Sequence, residues 1–360
     1  HDLNVPLSCR HKHDPTASPM SITADLRLCV APMMDWTDPA CRYLLRLISR
    51  HTRLYTEMVP VQALWYGRAE RFLAGHPAEA PVALQLGGSD PEQLAHATAL
   101  AEQWGYDEVN LNVGCPSSRV QSGRFGACLM REPALVRELV AGMRESTTLP
   151  VTVKSRIGVD DDDRFDQLCD FTEQIVAGGV DAMIVHARKA WLQGLSPKEN
   201  REVPPLRYGT VAALKMVFPD LPIVLNGGIR SLDTAEEWLG PLEGVMIGRE
   251  AYHNPWLLAD ADARIFGDRE RPQPDRTTVA LAYRDYVAAH WHAGIPVTRF
   301  TRHLAGLFQG LPGARVWRRT LSEAAGRKGA GPEVIDAALA ARARAVPVGD
   351  PPVDAAVSAD

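Results

Sequence analysis

Eight short runs of β-branched and apolar residues recur along the chain, and helical patterns fill most of the intervals between them. Strands that alternate with helices argue for parallel βα units. Eight such units in about 230 residues predict an α/β fold built as a (β/α)8 TIM barrel. The predicted strands lie at residues 27–33, 54–59, 81–87, 108–114, 151–158, 182–188, 222–229 and 244–250.

Boundary signals support two of the intervening helices, at residues 90–105 and 132–146. Asp90 is suited to be an N-cap, and Gly105 follows the end of the same helical pattern. The alternative architecture is a doubly wound sheet, which usually has fewer strands and a glycine-rich first turn. The sequence APMMDW, where the first predicted strand ends, contains no glycine, so the barrel is favoured.

Length and composition bound the domain count. With 360 residues, 46% of them hydrophobic and 23% charged, the chain has room for a large domain and a smaller one. We predict a catalytic barrel over 25–265 and a helical domain over 275–346. Residues 1–24 are polar and do not begin with methionine, which predicts a disordered leader or an added extension, with translation starting at Met20. The proline-rich, acidic segment 347–360 is predicted to be a disordered tail.

Several classes of protein are disfavoured. No apolar run approaches the roughly 20 residues that cross a bilayer, and no signal-peptide pattern opens the chain, so we expect a cytoplasmic protein with no membrane contact. The six cysteines lack CxxC spacing, which argues against a zinc knuckle or a disulfide framework. The run Asp160 to Asp163 lacks the spaced pattern of a calcium loop and predicts a solvated, helix-capping loop; no metal is expected.

Polar residues end most of the predicted strands. In a (β/α)8 barrel the active site lies at the carboxyl ends of the strands. A purely structural design would avoid such residues, because burying an unpaired neutral polar group costs ~2 to 7 kcal/mol. The candidates at the strand ends are Pro32, Met33, Met34, Glu57, Gln85, Asn110, Asn112, Cys115, Lys154, Arg156, His186, Arg188, Asn226, Gly227, Gly228, Gly248 and Arg249.

The last two strand ends, NGGI and IGRE, point to a phosphate site. Gly227, Gly228 and Gly248 let the backbone approach a ligand, and this corner of a barrel is a frequent phosphate site. Arg249 can add a bidentate, charge-assisted contact. For any single pair of glycines a tight turn is the simpler explanation. Two such turns on consecutive strands, one of them bearing an arginine, favour the phosphate.

The polar residues on the middle strands admit several roles. Lys154 is a candidate for a Schiff base, for a cation beside the pyrimidine edge of a flavin, or for a lysine that extends from a strand end to solvent. His186 is either a core histidine or a ligand contact near Arg188. The amides of Gln85 and Asn112 suit hydrogen bonds to a heterocycle.

Cys115 follows an alternating strand pattern and precedes Pro116, so it lies where a strand opens into a loop. Free cysteines are often small buried hydrophobes, an interpretation we apply to Cys29, Cys41, Cys128 and Cys169. The position of Cys115 favours chemistry instead. A nucleophilic thiolate is disfavoured because no histidine motif pairs with it.

Charge is unevenly distributed along the chain. The net charge of −5 does not suggest nucleic acid as a partner. Residues 277–346, however, contain ten basic and four acidic residues in a helical pattern. This excess fits either a nucleic-acid platform or a solvated, arginine-rich surface.

Several motifs together resemble the tRNA-dihydrouridine synthases, over about residues 25 to 345. Two further segments, KENREVPPL and LFQGLPGARVWRRTLSE, resemble the synthase A subfamily, which modifies D-loop uridines around positions 20 and 20a of tRNA. The resemblance implies bound FMN, NADPH as electron donor and tRNA as substrate. The sequence indicates no obligate protein partner. The family motifs are VAPMMDWTD, LQLGG, NLNVGCPS, GRFGACLM, VTVKSRIG, VHAR, LNGGI and MIGREAYHNPW.

The resemblance also implies roles for single residues. Cys115 is the implied general acid, protonating C5 of uracil while a hydride reaches C6 from the flavin. Asn112 is implied to touch the same uridine, which is extruded from tRNA into the barrel mouth. Residues implied to bind FMN are Pro32, Met33, Met34, Gln85, Lys154, His186, Asn226, Gly227, Gly228, Gly248 and Arg249. Those implied to bind tRNA are Asn112, Lys198, Arg201, Arg315 and Arg318.

Two other functions remain open from the sequence. One is an FMN-barrel oxidoreductase of a small molecule, similar to dihydroorotate dehydrogenase, which has no need of a basic helical domain. The other is a tRNA-binding or folding factor whose catalysis is secondary. The set of strand ends favours the tRNA reductase.

Overall fold

The computed structural model describes residues 26–270, 272–292 and 294–346. The predictions for residues 1–24, for Met20 as a start and for residues 347–360 lie outside the described residues.

The described residues contain nine strands that pair in parallel in one sheet. Its order is β1-β9-β8-β7-β6-β5-β4-β2, and β3 also pairs with β4. The strands are β1 (Leu28–Val30), β2 (Leu54–Tyr55), β3 (Val59–Pro60), β4 (Val82–Gly87), β5 (Glu108–Val113), β6 (Val151–Arg156), β7 (Ala182–His186), β8 (Ile223–Asn226) and β9 (Gly244–Ile247).

The sheet closes on itself at Arg53, just before β2. The N–H of Val30 donates to Arg53 O at 2.8 Å, and the N–H of Arg53 donates to Leu28 O at 3.0 Å. On its other side β1 pairs with β9. The predicted (β/α)8 barrel is therefore confirmed.

The single strand predicted at 54–59 is divided into β2 and β3. The Thr56 hydroxyl, rather than a backbone carbonyl, accepts the N–H of Gln85 at 3.0 Å. The same hydroxyl donates to Glu57 O at 2.7 Å. This side chain replaces one bond of the ladder, so the strand is interrupted there.

Helices connect the strands and continue beyond the barrel. Asp90 caps α4 by accepting the N–H of Gln93 at 2.9 Å, as predicted. The helices are α1 (Pro39–Ile48), α2 (Val61–Tyr66), α3 (Glu70–Leu73), α4 (Pro91–Gln103), α5 (Ser118–Ser122), α6 (Pro133–Glu145), α7 (Phe165–Ala177), α8 (Tyr208–Val217), α9 (Leu232–Trp238), α10 (Arg249–His253), α11 (Ala261–Arg264), α12 (Arg276–His290), α13 (Thr298–Thr301), α14 (Ala314–Ala325) and α15 (Glu333–Ala345).

The two faces of the strands bury different side chains. On β5, Val109, Leu111 and Val113 belong to the large apolar core shared with the surrounding helices. Successive side chains of a strand point to opposite faces, so Glu108, Asn110 and Asn112 face the barrel interior. All three are buried. A smaller apolar cluster that includes Ala83, Ala182, Ile184, Val224 and Met246 fills the interior beside them.

The helical region after the barrel docks on α1 through Asp38. This residue caps α1 by accepting the N–H of Cys41 at 2.9 Å, and it pairs with Arg302 at 2.7 Å and His303 at 3.1 Å. Burial opposes ionisation of Asp38, but the hydrogen bond and charge of His303, with Cys41 and Arg302, hold its pKa below the usual value. No helix in the described part of the chain is long and apolar enough to span a bilayer.

Residues 277–346 are not helical throughout, although the sequence has a helical pattern there, because α13 already ends at Thr301. α13 is followed by a 3₁₀ segment, Arg302–Gly306. A Cβ at Gly306 would come within 2.1 Å of His253 O, so the chain here is shaped by its contact with the barrel.

The run Asp160 to Asp163 forms a loop, as predicted, but it does not cap α7, whose N-cap is Arg164. The capping prediction was wrong because the carboxylates have other partners. Arg131 pairs with Asp160 at 2.9 Å and with Asp162 at 3.1 Å. Asp163 pairs with Arg207 at 2.6 Å and with Lys189 at 3.2 Å.

Candidate active site

The carboxyl ends of β4 to β8 bring five predicted site residues onto neighbouring strands. Asn112 is in register with Lys154, and His186 is in register with Asn226. Gln85 lies beside them, since its amide contacts that of Asn112 at 2.9 Å. The structure therefore gathers in one barrel mouth residues that are up to 141 positions apart, between Gln85 and Asn226.

Lys154 is held inside this mouth by Asn226. The Lys154 Nζ donates to Asn226 Oδ1 at 3.0 Å, and Asn226 Nδ2 donates to Met246 O at 2.9 Å, which fixes the orientation of the amide. Burial, followed by the positive charge of Arg156, lowers the pKa of Lys154 to about 7. A negatively charged ligand beside Lys154 would favour its protonated form.

Arg156 links the loops that follow β5 and β7. Its Nε donates to Gly114 O at 2.9 Å, and its Nη1 donates to Lys189 O at 3.0 Å and to Asn200 O at 2.9 Å. Burial lowers the pKa of this guanidinium to about 10. Arg156 therefore connects two loops through hydrogen bonds and also places a buried positive charge beside the mouth.

The surroundings of His186 are strongly positive. Burial lowers the pKa of this imidazole well below its usual value, and Arg156, Lys154, Arg188 and Arg201 lower it further. His186 is therefore neutral at physiological pH. Such a concentration of cations suits an anionic ligand.

Arg249 lies at the edge of this positive region and is already paired. Its Nη1 is 2.6 Å from Glu202 Oε1, and its side chain is partly exposed. The predicted contact between Arg249 and a phosphate therefore requires Arg249 to leave or share the carboxylate of Glu202.

The backbone of Cys115 is fixed on both sides. Its N–H donates to Asn112 Oδ1 at 3.0 Å, and its carbonyl accepts the N–H of Ala127 at 2.9 Å. Gly126 has φ +78°, and a Cβ there would come within 2.5 Å of Cys115 O. The Cys115 side chain is half-buried.

Cys29 and Cys41 are buried, as expected for cysteines with a packing role, but the same expectation was wrong for Cys128 and Cys169, which are half-buried. Cys128 lies in a 3₁₀ segment with its Sγ donating to Phe125 O at 3.1 Å, and Cys169 lies on the partly exposed side of α7.

The glycines at the predicted phosphate corner differ in what they require. Gly227 and Gly228 have φ of +117° and +72°, and a Cβ on Gly227 would lie 2.6 Å from His186 Cδ2. These two positions need glycine for the turn itself. Gly248 differs, since a Cβ there would have 3.9 Å to its nearest neighbour, Ala31 Cβ. Open space beside Gly248 lets a ligand approach the backbone.

The turn after β1 lies at the same end of the barrel. The N–H groups of Trp36 and Thr37 donate to Met33 O at 3.1 and 3.0 Å. Met33 packs against the core, whereas Met34 is 55% exposed, a large fraction for an apolar side chain. A flat ligand over the mouth would cover this surface.

Apart from Asn112, which lies in the mouth, the residues predicted to bind tRNA fall into two groups. Lys198 and Arg201 are exposed on the loop after β7. Arg315 and Arg318 are exposed on α14, whose opposite face buries Trp317 with its Nε1 donating to Leu304 O at 2.8 Å. The second group belongs to the helical region and is not part of the cluster in the mouth.

Sequence reasoning gave no role to Glu108, Thr152 or Gly126, although each contributes to the mouth or its loop. A signal was available for the first. Glu108 shares its face of β5 with Asn110 and Asn112, and the opposite face is apolar. A polar face on a strand that is buried on both sides indicates a lined interior.

A parallel barrel whose carboxyl edge gathers amides, cations and a cysteine loop is the architecture of a (β/α)8 enzyme. Residues 29–343 match the sequence profile of the dihydrouridine synthase family. The chain belongs to this family of flavin-dependent oxidoreductases.

Two similar proteins bear the name tRNA-dihydrouridine(20/20a) synthase. That of Xanthomonas axonopodis pv. citri (strain 306) is 54% identical over 324 residues, which cover 90% of this chain and 96% of the relative. That of Vibrio cholerae serotype O1 is 54% identical over 320 residues, which cover 89% and 97%. A solved complex of 2-naphthoyl-CoA reductase has a TM-score of 0.51 and 12% identity over 67% of this chain and 50% of that one, a likeness of fold alone.

Proposed function

We propose that this protein reduces uridine to 5,6-dihydrouridine at positions 20 and 20a of the tRNA D-loop, with FMN bound and NADPH as electron donor. Relatives with this name align over nearly their whole length. The observation that carries the proposal is the mouth, where Lys154 and the amides of Gln85, Asn112 and Asn226 lie beside the fixed loop of Cys115.

The donor set of the mouth fits FMN. Amide groups and a cation suit the polar edge of the flavin ring, and these are supplied by Gln85, Lys154 and Asn226. The open backbone at Gly248 and the cations around His186 suit the phosphate. Pro32, Met33 and Met34 would pack on the ring, with Gly227, Gly228 and Arg249 on the phosphate side.

Bound FMN, once reduced, supplies the hydride that is added to C6 of the uracil ring. The remaining requirement is a proton at C5, which we assign to the thiol of Cys115. Loss of that proton leaves a thiolate, and the nearby positive charges of Arg156, Lys154 and Arg201 stabilise it. Solvent then returns a proton to Cys115 for the next turnover.

A tRNA substrate needs a wider surface than the mouth. We propose that residues 275–346 form a tRNA-binding domain beside a barrel over 25–265, with Arg315 and Arg318 on phosphates. Lys198 and Arg201 on the β7 loop would guide the extruded uridine toward Asn112. We place this activity in the cytoplasm, whose reducing conditions agree with the free cysteines.

An anaerobic half-reaction tests the proposal. The purified protein is loaded with FMN, reduced with NADPH and freed of excess donor, and flavin reoxidation is followed after addition of tRNA that lacks dihydrouridine. Rapid reoxidation with dihydrouridine at positions 20 and 20a is the expected result. Flavin that stays reduced with tRNA but is oxidised by orotate or a small enone would overturn it in favour of a small-molecule oxidoreductase.

A further inference from the structure

A buried carboxylate at the amino-terminal end of β5, Glu108, begins a line of hydrogen bonds. Glu108 Oε1 accepts the hydroxyl of Thr152 at 2.5 Å and the hydroxyl of Tyr55 at 2.7 Å. Thr152 Oγ1 in turn accepts the Nδ2 of Asn110 at 2.8 Å. Glu108, Tyr55, Thr152 and Asn110 are each fully buried, so water does not replace these contacts.

The same line continues upward to the loop of Cys115. Asn110 Oδ1 accepts the Nε2 of Gln85 at 2.8 Å, and Gln85 Oε1 accepts the Nδ2 of Asn112 at 2.9 Å. Asn112 Oδ1 accepts the backbone N–H groups of Gly114 at 3.2 Å and Cys115 at 3.0 Å. We call the series Glu108, Thr152, Asn110, Gln85, Asn112 the relay.

The relay has one direction throughout. At its upper end, the backbone N–H groups of Gly114 and Cys115 can only donate. At its lower end, Glu108 Oε1 accepts from two hydroxyls, and it does so whether or not a proton resides on Oε2. Thr152 has a single hydrogen, which it gives to Glu108, so it must accept from Asn110. If the oxygen and nitrogen of any of these side-chain amides exchanged places, two donors or two acceptors would face each other in a buried site, which is unfavourable.

We propose that Glu108, acting through Thr152 and Asn110, is a positioning residue that holds Gln85 and Asn112 in the orientation set by the backbone N–H groups of Gly114 and Cys115, and so stabilises the polar atoms that they offer to the flavin and the uracil. Glu108 touches neither ligand. The proposal rests on the proposed function, because it assigns these atoms to a flavin and a pyrimidine.

The direction of the relay has a consequence for specificity. Among the bonds of the described residues, Asn112 Oδ1 already accepts two N–H groups, while its Nδ2 gives one of its two hydrogens to Gln85. Asn112 therefore meets the substrate as a donor. A donor suits a carbonyl oxygen of uracil and opposes the amino group that cytosine carries at C4.

Two substitutions at Thr152 distinguish the effect of the relay on FMN affinity from the effect of side-chain packing. Thr152→Val keeps the shape and removes the hydroxyl, while Thr152→Ser keeps the hydroxyl and removes a methyl group. FMN affinity, measured by quenching of flavin fluorescence without tRNA, should fall about 10-fold in Thr152→Val and return to within about 2-fold of wild type in Thr152→Ser. Tyr55→Phe is the matched control, because it removes a bond to the same Glu108 oxygen outside the relay, and its FMN affinity should stay within about 2-fold.

A second readout concerns the pyrimidine. Transcripts with uridine or cytidine at the target position are compared by their dissociation constants. Wild type and Thr152→Ser should prefer uridine equally, and Thr152→Val should show a smaller preference, because Gln85 and Asn112 keep only the anchor at the backbone of Gly114 and Cys115.

Three results would overturn the proposal: equal FMN affinity in Thr152→Val and Thr152→Ser, an equal loss in Tyr55→Phe, or an undiminished preference for uridine in Thr152→Val. If Thr152→Val does not fold, Thr152→Ala takes its place, because it also removes the hydroxyl that joins Glu108 to Asn110, with the same expected loss and the same contradictory outcome. FMN affinity is measured without tRNA, so failure of the wild type to reduce tRNA would defeat the proposed function and leave this comparison valid.

Discussion

Lys154 Nζ donates to Asn226 Oδ1 across the interior of the barrel, at 3.0 Å, and the described residues place no carboxylate in contact with it. Its pKa of about 7, lowered first by burial and then by Arg156, makes it a titrating group at physiological pH. This pair explains how the mouth can adapt its charge to a bound anion.

The lowered pKa of Lys154 predicts a pH dependence of stability. The unfolded chain keeps this lysine protonated up to about pH 10.5, whereas the ligand-free folded protein releases the proton near pH 7. Because the unfolded state binds more protons between these values, the free energy of unfolding rises with pH there, by at most about 1.4 kcal/mol per unit. Chemical denaturation at pH 7 to 9 should show a shallower rise in Lys154→Met than in wild type. Parallel curves for the two proteins would contradict the assignment.

Cys115→Ala should separate flavin binding from turnover. The variant is expected to bind FMN like wild type, since no FMN contact is assigned to the thiol. Uridine reduction should fall by about 10²- to 10⁴-fold, the range for loss of a general acid. Stopped-flow reoxidation with tRNA measures this step. Cys169→Ala, a half-buried cysteine on α7, is the control and should retain activity; normal turnover in Cys115→Ala would exclude Cys115 as the acid.

Gly126→Ala should disturb the loop of Cys115. The φ of +78° and the 2.5 Å approach to Cys115 O leave no room for a methyl group. We expect a loss of about 1 to 3 kcal/mol in the free energy of unfolding and a lower kcat. Gly142→Ala is the matched control, because Gly142 lies within α6 with open space around its Cβ and should gain about 0.4 to 1 kcal/mol. Similar stabilities for the two variants would argue against a constrained loop.

The combined change Arg315→Ala with Arg318→Ala should weaken tRNA binding and leave FMN affinity unchanged. Each lost phosphate contact reduces the slope of log K against log salt by about 1, so the slope should fall by about 2. Filter binding at several salt concentrations gives this slope. Arg27→Ala removes an exposed arginine at the opposite end of the barrel, before β1, and should have no effect. An unchanged slope in the double variant would remove α14 from the tRNA surface.

The barrel could be predicted because its strands bury apolar side chains toward the helices, and that burial leaves a clear pattern in each run. The division between β2 and β3 could not be predicted, since it depends on the hydrogen bond from the N–H of Gln85 to the Thr56 hydroxyl, two residues that are far apart in the sequence. For the same reason the sequence did not reveal the partner of Arg249. Glu202 is separated from it by 47 positions and is brought near only by the fold.

Part of the site could be predicted from the sequence, because polar residues at strand ends stand out against apolar runs. The orientation of each amide and the partner that it binds could not be predicted, because each amide in the relay is oriented by a neighbour on another strand. Glu108 shows this most clearly, since a glutamate at the start of a strand has an ordinary solvated explanation until the strand is known to be enclosed on both faces.

The pairing of β1 with β9 sets a condition on synthesis of the protein. Leu28 leaves the ribosome early, but its partner Val245 emerges only after the other eight strands. Until then the growing sheet has two open edges, which can pair with other chains. Completion of the ring therefore has to await β9, and a ribosome that stalls before Val245 releases a sheet that is prone to aggregate rather than a smaller working enzyme.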